Sequence, residues 1–256
     1  MLFTSETYIG IDPSRGKKAI SYTALNKSLE PVGGGKGELA EVVAFIGGQQ
    51  QAVVGVVGPS ALNQQILMDP ERRTALLIPI SRGRPGDMRV AEHLLKQRGL
   101  PVYRTPSSGG KIPGWMETAF GLHGKLHQLG FAGSGADPTA ERMVIECVPE
   151  VCFRAWISGE IMAANLFFGR LQRQLCLYNL GVDIADPMDF FEEITRHRVL
   201  HGQVPEGDIW SPSQVQCFAA AYLAWQAKNQ PDQVGRVGVV GEGFITVPAV
   251  LIEEKL

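Results

Sequence analysis

The chain has 256 residues, 45% hydrophobic and 20% charged, with a net charge of −2, an ordinary globular mix for one large domain or two small ones. It excludes disordered, collagen-like, coiled-coil and disulfide-scaffold chains, and no apolar run approaches the roughly 20 residues that span a bilayer. Met1 to Thr7 has no basic leader ahead of an apolar core, so a cytoplasmic location and no membrane partner are expected.

Tyr8-Ile-Gly-Ile11 reads as a short buried strand ending at Asp12, Pro13 to Gly16 as a turn, and Ala19 to Leu25 as a second strand rich in β-formers. Leu29 to Val32 fits a third strand, stopped by the break Gly33-Gly-Gly35. Glu38 to Ile46 spaces Leu39, Val42, Val43 and Ile46 at helical intervals. Ala52 to Val57 is a near-continuous β-branched run, the pattern of a strand covered on both faces. Asp87 to Arg98 and Trp115 to Leu129 carry helical periods around the loop Thr105 to Gly110, and Met143 to Val148 returns to strand character. Helices follow over Ala163 to Leu180 and Pro187 to Arg198, and a last one from Ser211-Pro212 to Lys228, since proline suits a first turn. Val237 to Val240 and Phe244 to Val247 form a closing hairpin across Gly241 to Gly243. The alternation gives a single α/β domain over 1–256, with helices inserted around 113–130 and 160–200.

Charge is unevenly placed. Between Arg72 and Lys111 nine Lys/Arg face two acids, a net of +7 that leaves −9 elsewhere and points to an anionic partner for that segment. Several motifs fail: Gly10 to Lys18 and Gly33 to Gly37 lack the spacing of a phosphate-binding loop. His123/His127 and His197/His201 each place two imidazoles on one helix face but lack the flanking glutamate of zinc proteases. Cys147, Cys152, Cys176 and Cys217 have no paired Cys-x-x-Cys spacing and read as buried thiols.

Three acids form the remaining constellation. Asp12 ends the first strand, Asp87 opens a helix after Arg84-Pro-Gly86, and Glu146 stands in an apolar strand, where a carboxylate is costly unless paired. Converging at one sheet edge, they would hold Mg²⁺ or Mn²⁺, which prefer carboxylate oxygens. The simpler reading makes Asp12 a turn former, Asp87 a helix cap and Glu146 a buried ion-pair partner.

The order of these elements resembles domain-of-unknown-function family 429, described as ribonuclease-H-like nucleases. The resemblance is carried by Ile9 to Asp12, Arg84 to Arg89, Gly99 to Tyr103, Val144 to Phe153, Gly169 to Arg173, Gln216 to Trp225 and Glu242 to Pro248. It implies a mixed sheet of about five strands whose first three are antiparallel, flanked by helices. It also implies a metal-dependent nuclease or phosphodiesterase acting on RNA, DNA or a nucleotide. Asp12 and Glu146 would hold Mg²⁺ or Mn²⁺, Asp87 would assist, and Arg84, Arg89 and Arg173 would contact phosphate. Two positions depart from the pattern: Val57 stands where similar sequences end the strand in aspartate, and Gln216 where they carry the last acid. The alternative is therefore a catalytically degenerate scaffold that binds nucleic acid, a nucleotide or a protein partner.

Overall fold

The structure is a computed structural model that describes residues 6–13, 19–78, 86, 88–133, 139–203, 207 and 209–253. Its strands are β1 (Thr7–Asp12), β2 (Ile20–Leu25), β3 (Pro31–Gly37), β4 (Ala52–Val57), β5 (Ala132–Gly133), β6 (Arg142–Cys147), β7 (Val234–Val239) and β8 (Gly243–Pro248). The helices are α1 (Leu39–Gly47), α2 (Pro70–Ala75), α3 (Val90–Gln97), α4 (Gly114–Gln128), α5 (Pro149–Trp156), α6 (Phe167–Asn179), α7 (Asp189–Glu193), α8 (Arg196–Leu200), α9 (Pro212–Asn229) and α10 (Val250–Glu253). No helix among the described residues is long and apolar enough to cross a membrane.

All eight strands join one mixed sheet in the order β3-β2-β1-β4-β6-β8-β7, with β5 beside β6. β2 lies antiparallel between β1 and β3, while β4, β6 and β8 run parallel to β1. This is the ribonuclease-H-like arrangement implied by the resemblance, extended at one side by the antiparallel β7–β8 hairpin. β3 runs straight through Gly33-Gly-Gly35, which the sequence reading treats as a break. The strand is an edge held by main-chain pairing of Tyr22 with Gly35 and Thr23 with Gly34, for which no side chain is required.

Two apolar layers cover the sheet. On one face Ile9, Ile11, Val54, Val56 and Val144 meet α1 and α4 through Val42, Ile46, Leu122 and Leu126. On the other, Tyr8, Val53, Ile145 and Cys147 meet α5, α6 and α9 through Phe153, Leu177 and the run Ala219 to Ala224. α4 is thus part of the core of the domain. α9 begins where the sequence places it: the Ser211 hydroxyl accepts from the Gln214 amide, and the Gln214 side chain accepts from the Ser211 amide.

α9 lies directly on the strands because β1 and β4 present glycine to it. A Cβ on Gly10 would sit 1.8 Å from the Cys217 carbonyl oxygen, and one on Gly55 would sit 2.5 Å from that of Ala220. Four short alanines and two absent side chains bring helix and sheet backbones together, and this seat sets the position of Gln216 and Cys217 over the strand ends.

Candidate functional site

The carboxyl ends of β1, β4 and β6 gather at one edge of the sheet, the usual place for a site in open α/β folds. Which side of the sheet each residue serves follows from register. Ile11 pairs with Val56, and Val56 with Glu146, so these three side chains share the α1/α4 face. Asp12 is one residue further along β1 and shares the opposite face with Gly10 and Tyr8, beneath α9. Asp12 and Glu146 therefore stand on opposite sides of the sheet with β4 between them, and both are buried.

On the α1/α4 face Glu146 is the centre of a buried polar network. Arg89 grips it with both terminal nitrogens, Nη1 reaching Oε2 at 3.0 Å and Nη2 reaching Oε1. The Tyr103 hydroxyl donates to Oε1 at 2.6 Å, and the Ser60 amide and hydroxyl each donate to Oε2 at 2.8 Å. Five donors on two oxygens fill the lone-pair sites of a carboxylate. Arg89 also donates from Nε to Glu92 at 2.8 Å and from Nη1 to the Glu242 carbonyl at 2.9 Å. Glu92 in turn accepts from the Thr105 amide and hydroxyl, and Glu242 accepts from the amides of Gln64 and Val90. One guanidinium thus ties together the start of α3, the end of β6, the β7–β8 turn and, through the carboxylates, the loops carrying Ser60, Gln64, Tyr103 and Thr105.

The electrostatics follow from burial and pairing. Burial pushes the Glu146 carboxyl up, but the Arg89 charge and the hydrogen bonds from Arg89 and Tyr103 outweigh it and hold the group below its ordinary value. Burial, then the neighbouring Glu146 charge, raises the Tyr103 phenol well above its usual range. His123, on α4 beneath this network, is lowered from 6.5 to about 4, chiefly by burial against the opposing pull of Glu146. Its Nε2 has no hydrogen-bond partner among the described residues.

This ring gives the fold an acid sensitivity with a defined sign. The unfolded chain takes up the proton near pH 6.5 while the folded one refuses it down to about 4. The stability gained by keeping the ring neutral is present above pH 6.5 and is lost as pH falls toward 4, on the order of 3 kcal/mol in all. The melting temperature of the wild type is expected to fall more steeply across that window than that of His123→Gln; parallel profiles would show that His123 is not the group responsible.

The α9 face holds a different set. Glu150, in the first turn of α5, accepts from Arg173 Nη2 at 2.6 Å and Nε at 3.1 Å, and from Gln216 Nε2 at 2.8 Å. Arg173 completes its bonding with the carbonyls of Met162 and Gly169 and lies 5.4 Å from the centre of the Phe153 ring. Val57, the neighbour of Cys147 in register, packs into the apolar layer on this side. Val57 and Gln216, the two positions where the resemblance implies further acids, thus lie on the same face as Asp12, and both are neutral here.

Several expectations need correction. The pairing of Asp12 with Glu146 around a divalent cation does not fit, because the sheet separates the two and Glu146 is saturated by donors. Arg89 and Arg173 are not phosphate contacts: both are buried, with their guanidinium groups committed to internal carboxylates and carbonyls. Arg84 and Asp87 lie outside the described residues, and α3 starts at Val90 with Arg89 before it. Among the described residues no three His, Cys, Asp or Glu side chains gather as a metal site. His127 Nδ1 meets the Phe131 carbonyl, and His201 stacks on His197 at 4.2 Å with its Nδ1 on the His197 carbonyl. The four cysteines are buried and unpaired, and burial pushes the thiols up, that of Cys176 to about 12, which leaves them poor nucleophiles.

Sequence reasoning missed Glu150, Glu242, Glu92, Tyr103 and Ser60. For two of them a signal existed: Glu150 follows Pro149, whose presence starts a helix three residues after Glu146 and so carries the next acid across the sheet edge, and Glu242 opens the closing hairpin motif. Residues 10–238 match a family model described as Protein of unknown function (DUF429). Searches of curated proteins and of solved structures return no match.

Proposed function

From the premise that the chain belongs to the family described as Protein of unknown function (DUF429), we propose that it is a catalytically degenerate ribonuclease-H-like scaffold that binds a nucleotide-bearing ligand without cleaving it. The observation that carries this reading is the division of the acids. Asp12 stands on the α9 face beside two neutralised positions, and Glu146 is locked to Arg89 on the other. A metal-dependent cut of a phosphodiester needs carboxylates that share one ion or two adjacent ones, and this division withholds them. Binding of an anionic ligand is supported by the exposed cations of the basic segment, Arg72, Lys96, Arg98, Arg104 and Lys111.

The test is calorimetric titration of Mn²⁺ into metal-free protein and into Asp12→Asn, beside incubation of both with single-stranded and duplex RNA and DNA. The expected result is the same weak heat for both proteins and intact substrates. Mn²⁺-dependent cleavage that Asp12→Asn abolishes would restore the nuclease reading.

A further inference from the structure

A groove of about 380 Å³ runs between the β2–β3 edge of the sheet and the first half of α9. Its wall on the sheet side is set by register: Ser21 faces Lys36 and Thr23 faces Gly34, on the face that Asp12 and Gly10 share with them across β1. Ser21 and Thr23 are buried hydroxyl residues, Gly34 adds no side chain between them and solvent, and Lys36 stands exposed at the rim. On the helix side Phe218 and Gln214 line the groove. Phe218 is stacked on Trp210 with ring centres 4.0 Å apart and planes 17° from parallel, so it offers a rigid aromatic wall.

We propose that this groove takes a nucleoside monophosphate. The inference rests on the binding reading above and names its ligand. A planar base suits the Phe218–Trp210 stack, sugar hydroxyls suit Ser21 and Thr23, and the phosphate suits the Lys36 ammonium. The volume is that of a small-molecule pocket. A long single strand is the poorer fit, because proteins that hold one present successive aromatic platforms along a basic track, whereas this groove has one aromatic pair and one lysine. Free phosphate would meet a single flexible cation and nothing to orient it.

The experiment follows tryptophan fluorescence of the full chain during titration with AMP, GMP, CMP and UMP. The parent nucleosides, inorganic phosphate and a single-stranded oligothymidylate serve as further probes. Lys36→Glu lies on an exposed rim, and Thr23→Val nearly keeps side-chain volume and gives up one 3.4 Å bond to the Gly33 carbonyl, so both are expected to melt close to the wild type; Lys125→Glu, exposed on α4 across the sheet, is the charge control. At least one monophosphate is expected to bind saturably, about tenfold more weakly to Lys36→Glu and unchanged to Lys125→Glu. Thr23→Val is expected to weaken nucleoside and nucleotide alike, while phosphate alone gives no signal. Monophosphates that bind Lys36→Glu as well as wild type would overturn the groove assignment. If only the oligonucleotide binds, the groove inference fails and the scaffold reading stands. If neither monophosphate nor oligonucleotide binds, both fail together.

Discussion

Arg89→Met is expected to lower stability by about 4 kcal/mol, because removing one partner of a buried ion pair strands the other charge in the interior. The stranded groups here are Glu146 and Glu92, both fully buried. For a domain of this size that is a fall in melting temperature of roughly 10 °C. The cause is separable from lost packing, since methionine keeps much of the arginine stem. Adding Glu146→Gln to Arg89→Met removes the uncompensated carboxylate and should recover part of the loss, so the double variant is expected to melt above the single one. A single variant that melts with the wild type would show that the guanidinium does not hold these loops together.

Gly10→Ala is the second large effect. One methyl group would have to occupy space 1.8 Å from the Cys217 carbonyl oxygen and 2.5 Å from the Ala221 nitrogen, both backbone atoms of α9. The helix must lift, and overpacking of this kind costs about 1–3 kcal/mol, here at the upper end because no side chain can rotate away. Gly55→Ala meets the Ala220 carbonyl at 2.5 Å and acts on the same helix. The two losses should therefore be less than additive, since a helix already displaced by one methyl group has made room for the other. Urea unfolding of the two single variants and the double variant reads this as midpoint shifts at unchanged slope. An unmoved midpoint in Gly10→Ala would mean that α9 is not seated on β1 as described.

These two positions also mark how far a one-dimensional reading reaches. The strands around Tyr8, Val53 and Val144 were legible because β-branched runs bounded by turn residues have few other fates. α9 was legible because Ser211-Pro212 starts a helix whatever lies beyond it. The helix α5 was not, being two turns long and hidden directly behind a strand, and with it went Glu150. The sequence offers Arg89 as a phosphate contact because a basic segment carries no mark of which of its members will be enclosed. Of its neighbours, Lys96 and Arg98 are exposed while Arg89 is wholly buried.

The sequence by itself determined most element types, which depend on local patterning, and singled out Asp12 and Glu146 among the acids at the sheet edge, while the mixed sheet was implied by the family resemblance. Tertiary structure alone decided which face of the sheet each acid serves. Side chains alternate along a strand, so a one-residue difference in register moves a carboxylate from one side to the other. With Ile11, Val56 and Glu146 in one row, Asp12 falls in the next row and on the opposite face. Those pairings are set by how α4 and α9 pack on the two faces, which contiguous sequence does not encode.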